Sequence, residues 1–149
     1  MKRVVIGAML AAGLATSSLP ALAGPREDAN KALVLAFYDA AFTRLDAEQA
    51  ATYLAPGYIQ HNPEVANGVA PLQDYVRWIR ANAPQSRASI KRVLADGDLV
   101  MLHVHSQDQP GELGVAVVDI FRVQDGKIAE HWDVIQPVPA KDANGNGMF

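Results

Sequence analysis

Asp119, His131 and Asp133 stand among Val117, Phe121 and Ile135 in the last third of the chain. Ionisable groups in such apolar company cost several kcal/mol to bury unless they are paired or shifted in pKa, and that tension concentrates at functional sites. His103 and His105 lie two apart on one run, as do His131 and Asp133 on another, so each pair shares one face of a strand. One chemistry these types support is proton removal next to a carbonyl. Asp133 would act as the base, while His131, His105 or His61 stabilises the enolate oxygen. Apolar walls raise a carboxylate toward neutrality and a neighbouring imidazolium lowers it, so the balance sets the strength of the base. A second chemistry is metal binding by His103, His105, His131 and Asp133, if their strands are neighbours, because imidazole with carboxylate suits zinc, iron or copper. The plain alternative is that Asp133 and His131 only satisfy each other or the backbone. For His61, in the run Gln60-His61-Asn62-Pro63, the choices are the rim or floor of a cavity or a turn cap.

These residues need elements to position them. Leu33, Phe37, Ala40 and Ala41 recur at helical spacing, which predicts an amphipathic helix over Glu27 to Arg44 that begins near Pro25. Asp46 with Gln49 forms a capping-box pattern for a short second helix ending near Leu54, before Pro56-Gly57. A third helix is predicted from about Pro71 to the Asn82-Ala83-Pro84 break. The period then changes to two. Strands are expected over Ser89 to Ala95, Leu99 to Ser106, Leu113 to Val123 and Lys127 to Val138. Helices followed by an antiparallel meander make an α+β arrangement.

The turn at Asp125-Gly126 decides whether Asp119 joins Asp133. A two-residue turn pairs Gln124 with Lys127 and sets Asp119 opposite Trp132, on the face away from Asp133. A four-residue turn over Val123 to Gly126, with Gly126 as a bulge, pairs Val123 with Lys127 and sets Asp119 opposite His131. The bulged form is preferred here, because it gathers Asp119, Phe121, His131, Asp133 and Ile135 on one face. It leaves Arg122, Glu130, Trp132 and Val134 on the other, a partly apolar surface suited to a sheet-to-sheet homodimer.

Lys2 and Arg3, the apolar run Val4 to Leu14 and the Ala21-Leu22-Ala23 pattern read as a signal peptide over residues 1–23. The expectation is export to the periplasm or medium, without a membrane span, since the apolar run is too short. The remaining 126 residues, 24–149, suffice for a single domain. Without Lys2 and Arg3 there are 11 bases against 16 acids and no basic run, which argues against a nucleic-acid partner. With no cysteine, thiolate chemistry, disulfides and cysteine-ligated metals are excluded.

The order of elements, the Gln60-His61-Asn62-Pro63 segment and the run Phe121-Arg122-Val123-Gln124-Asp125-Gly126-Lys127-Ile128-Ala129-Glu130-His131-Trp132-Asp133 resemble the SnoaL-like polyketide cyclase family of the nuclear transport factor two-like superfamily. The resemblance spans nearly all of residues 24–149. It implies a cone in which a curved antiparallel sheet wraps N-terminal helices around a deep pocket, and a dimer formed through the sheet. It also implies cofactor-free chemistry, with ring closure by intramolecular aldol condensation and an aspartate of the late strands as acid/base. By its place after Glu130-His131-Trp132 that aspartate is Asp133, joined by His131 and Asp119. His61, Asn62, His105 and Phe121 are then expected against a small apolar or carbonyl-containing substrate. A non-catalytic carrier or sensor on the same fold remains the alternative.

Overall fold

The computed structural model describes residues 24–149, so the expected signal peptide lies outside the described residues. Helix α1, Pro25–Tyr38, begins with its proline in the first turn, where a missing N–H costs nothing, and with Glu27 and Asp28 facing the positive end of the helix dipole. The run predicted to reach Arg44 continues past Tyr38, but as one wider π-helical turn over Asp39–Thr43, closed by the Arg44 amide on the Asp39 carbonyl at 2.9 Å. Within this turn Tyr38 and Phe42 pack ring on ring at 4.7 Å.

Asp46 caps α2, Ala47–Ala51, as expected: its Oδ1 accepts from the Gln49 amide at 3.0 Å. Only half of the capping box forms, because the Gln49 side chain donates to Thr52 and Tyr53 while the Asp46 amide is taken by the Ala40 carbonyl. Asp46→Ala is expected to cost about 1 kcal/mol, read as a lower urea midpoint with an unchanged slope.

The second helix stops at Ala51, three residues short of the expected end. Leu54 instead opens strand β1, Leu54–Gln60, where a turn-bounded segment was expected. Pro56 fits in this strand because β1 is an edge, where an absent N–H need not break the ladder. After α3, Val69–Asn82, come β2, Arg87–Asp96; β3, Leu99–Gln107; β4, Val115–Gln124; and β5, Lys127–Pro137. The sheet order is β1-β5-β4-β3-β2. The last four strands form the expected antiparallel meander, and β1 adds a parallel pair with β5, so the sheet is mixed rather than wholly antiparallel.

The β4–β5 turn is the two-residue form, with Asp125 at φ 51°, Gly126 at φ 70° and Gln124 paired with Lys127. The four-residue turn preferred from sequence is therefore not made. A bulge corrects the face all the same: Val123 pairs with Ile128 but Arg122 pairs with Glu130, leaving Ala129 as an extra residue. Beyond the bulge Asp119 lies opposite Asp133, neither of the two partners anticipated, and Phe121 lies opposite His131.

One core holds this sheet to the helices. Val34 and Phe37 of α1 and Val76 of α3 pack with Val100, Leu102, Val104, Phe121 and Ile128 of the sheet. Since Leu102 and Val104 point inward, alternation sends His103 and His105 to the outer face.

Candidate active site

Strands β4 and β5 bring Asp119, His131 and Asp133 to the inner face, and Asp119 and His131 are only 6% and 8% exposed. Tyr38, at the junction of α1 and the π turn, donates its hydroxyl to Asp119 Oδ2 at 3.0 Å. His131 Nε2 lies 3.0 Å from Asp119 Oδ1, and Nδ1 lies 2.7 Å from Gln60 Oε1. Gln60 Oε1 also accepts the backbone N–H of Asn62 at 3.0 Å, while its Nε2 donates to the Tyr58 hydroxyl at 3.2 Å. Asn62 Nδ2 donates to Asp133 Oδ2 at 2.6 Å.

This network fixes where a proton can be. A backbone amide can only donate, so the atom it meets on Gln60 is the oxygen, and His131 Nδ1 must carry hydrogen to bond to it. The hydrogen bond between His131 Nε2 and Asp119 Oδ1 at 3.0 Å then takes one more proton, on the nitrogen or on the oxygen. Asp133 has Oδ2 engaged by Asn62, and its Oδ1 has no partner among the described residues.

The three donors line a cavity of about 200 Å³. Phe37, Tyr38, Tyr58 and Phe121 wall its buried part, and Tyr75, Trp78 and Ile135 line it from exposed positions, with Trp78 58% exposed. Burial raises the Tyr38 phenol well above its ordinary range, aided by the charge and hydrogen bond of Asp119. Tyr58 is raised by burial and then by Asp119 and Asp133, and Tyr75 by burial and then by Asp108. All three phenols are neutral at physiological pH. A phenol whose pKa is higher folded than unfolded contributes stability that is complete below the unfolded value, about 10, and is lost as pH rises through the folded value. The urea midpoint is accordingly expected to fall above about pH 10. Tyr38→Phe should shrink that fall.

The placement of the other expected residues is mixed. Asn62 and Phe121 line the cavity with Asp119, His131 and Asp133. His61 does not: its exposed ring stacks on Trp132 at 4.8 Å, and its Nε2 meets Glu130 Oε1 at 2.8 Å on the outer side. There His61, then Arg122, holds the Glu130 carboxyl below its ordinary range. His103 accepts from Arg92 at 2.9 Å, His105 donates to the Leu113 carbonyl at 2.8 Å, and both rings pack against Phe149. The metal set His103, His105, His131 and Asp133 is thus split across two faces of the sheet and does not converge. Nor does His105 reach the cavity expected to hold a substrate. The donors that do gather are Asp119, His131 and Asp133, with ligand atoms within 4.8 Å of one another.

Gln60, Tyr58 and Tyr38 were not among the residues expected at the site. The signal for β1 lay in its period: Tyr58, Gln60 and Asn62 alternate inward, so His61 must point outward.

Among curated protein sequences no relative matches the chain. Solved structures of the same fold include TsrD from Streptomyces laurentii, at 22% identity and TM-score 0.61, covering 72% of this chain and 88% of that one. A candidate polyketide cyclase from Bacillus cereus matches at 21% identity and TM-score 0.62, covering 72% and 74%. A candidate ketosteroid isomerase from Kribbella flavida matches at 22% identity and TM-score 0.61, covering 78% and 84%. These likenesses establish a nuclear transport factor two-like α+β fold. No helix among the described residues is long and apolar enough to cross a membrane. The model of the SnoaL-like domain matches residues 34–131, a span that contains the π turn, the Gln60–Asn62 segment, Asp119 and His131, and the chain belongs to the SnoaL-like family.

Proposed function

We propose that the cavity binds a small cyclic carbonyl compound and moves a proton next to its carbonyl, the step shared by aldol ring closure and double-bond isomerisation. Asp133 takes the proton from carbon, and the C–H electron pair becomes the enolate. The enolate oxygen is met by the proton held between Asp119 and His131, with the neutral Tyr38 hydroxyl behind it. Asp133 then returns its proton to another carbon, or the enolate carbon attacks a second carbonyl and the alkoxide oxygen so formed takes the proton back from Asp133. The observation that carries this reading is the contrast between the two facing carboxylates. Asp119 spends both oxygens on Tyr38 and His131, whereas Asp133 lines the cavity with Oδ1 free. The reading agrees with the descriptions of two fold neighbours, a candidate polyketide cyclase and a candidate ketosteroid isomerase.

The test is hydrogen–deuterium exchange at the α-carbon of 2-tetralone in D2O, followed by NMR with metal-free protein. Exchange above the buffer rate supports the reading. Binding with release of unexchanged ketone would identify a carrier instead.

Two further parts of the reading concern assembly and location. The outer sheet face carries Trp132 and Val134, the latter 70% exposed, and supports a homodimer through that face. Export rests on the residue 1–23 pattern, and a mature chain starting at Gly24 in mass spectra of the secreting host would bear it out.

A further inference from the structure

Asp119 and Asp133 sit directly across from each other on neighbouring strands. Like charges so placed repel, and a proton or a cation between them relieves the repulsion. The third member of the cluster is prepared for a cation as well as for a proton. His131 donates Nδ1–H to Gln60 Oε1, which turns the Nε2 lone pair toward the two carboxylates. A metal-binding histidine is held in this way, by an outer partner on its other nitrogen. The carboxylates are braced by the same kind of partner: Tyr38 holds Asp119 Oδ2 and Asn62 holds Asp133 Oδ2, which leaves Asp133 Oδ1 free and Asp119 Oδ1 facing His131 Nε2.

The distances fit a small ion. His131 Nε2 and Asp119 Oδ1 are 3.0 Å apart. Two donors at metal–ligand bonds of about 2.0–2.2 Å are separated by about 2.9–3.5 Å in octahedral or tetrahedral geometry. Asp133 completes the set, with one ligand atom from each of the three residues within 4.8 Å of the others. One imidazole nitrogen with two carboxylate oxygens suits zinc and similar borderline ions. Three protein ligands facing a cavity leave a coordination position open to a small molecule.

We propose that Asp119, His131 and Asp133 also form a binding site for a zinc-like divalent ion, which takes the place of the proton between His131 and Asp119 and so switches off proton transfer at Asp133. The binding site stands on the donor geometry alone, and the inhibition rests on the acid/base function proposed above.

The probe is Co2+ added to metal-free protein, followed by visible absorption and by native mass spectrometry. The expected result is one Co2+ per chain, with d–d bands that one equivalent of Zn2+ removes. Asp133→Asn and His131→Gln should each weaken binding by 10-fold or more, with circular dichroism reporting that each variant folds. Because Asp133 is less buried than His131, its variant keeps the test usable if His131→Gln does not fold. The double variant His103→Gln/His105→Gln, on the outer face, should bind as the parent does. The site is overturned if no Co2+ binds, or if binding survives Asp133→Asn and is lost in the outer-face variant.

Exchange of 2-tetralone separates the two proposals. Zn2+ should abolish the exchange catalysed by metal-free protein with a one-to-one end point. Exchange that persists with the metal bound would overturn the inhibition. Co2+ binding by a protein that never catalyses exchange would keep the site and remove the acid/base reading.

Discussion

Asp133→Asn is expected to slow α-proton exchange of 2-tetralone by about 10²–10⁴-fold, the range that a positioned general base contributes. The amide has nearly the shape of the carboxylate, and its oxygen can still accept from Asn62 Nδ2, the one side-chain hydrogen bond Asp133 makes among the described residues. The thermal midpoint should therefore move little, and NMR exchange rates should carry the whole effect. Asp119→Asn serves as the contrast. Asp119 is bonded on both oxygens inside the core, so its loss should disturb the Tyr38 and His131 contacts and lower stability together with rate. If Asp133→Asn exchanges as fast as the parent, Asp133 is not the base.

The largest stability effect is expected at Phe121. Its side chain is 1% exposed and packs edge-on against Phe37 at 5.7 Å, with the His131 ring 4.8 Å away. Phe121→Ala removes the largest apolar group of β4 and leaves a void between α1 and the sheet, at a cost of about 3–5 kcal/mol. Against a typical domain stability of about 5–15 kcal/mol, that is about a fifth of the total or more. For a chain of this size the loss corresponds to a thermal midpoint lower by about 6–20 °C in calorimetry. A loss below about 1 kcal/mol for Phe121→Ala would mean that the wall of the cavity is not packed as described.

Local signals in the chain foretold much of the framework. Pro25 and Asp46 marked helix starts, and the change of period after Pro84 announced four strands, because proline geometry, side-chain capping and alternation act over a few residues. β1 was harder to read. Pro56-Gly57 has the look of a stop, and only an edge position beside β5 makes it a tolerable part of a strand. That one misreading carried His61 to the cavity and left Gln60 out of it.

What the sequence by itself determined is the α+β order of elements, the SnoaL-like membership and the presence of Asp119, His131 and Asp133 on two late strands. Only the tertiary structure decided which of them meet. The turn at Asp125-Gly126 alone would have put Asp119 on the face away from Asp133, and the extra residue at Ala129 reversed that by one position. A side chain changes face with each residue of register, so one bulge between β4 and β5 outweighs the local preference of the turn. His103 and His105 carry the same lesson. Their spacing placed them together, but the burial of Leu102 and Val104 against the helices turned them to the outside.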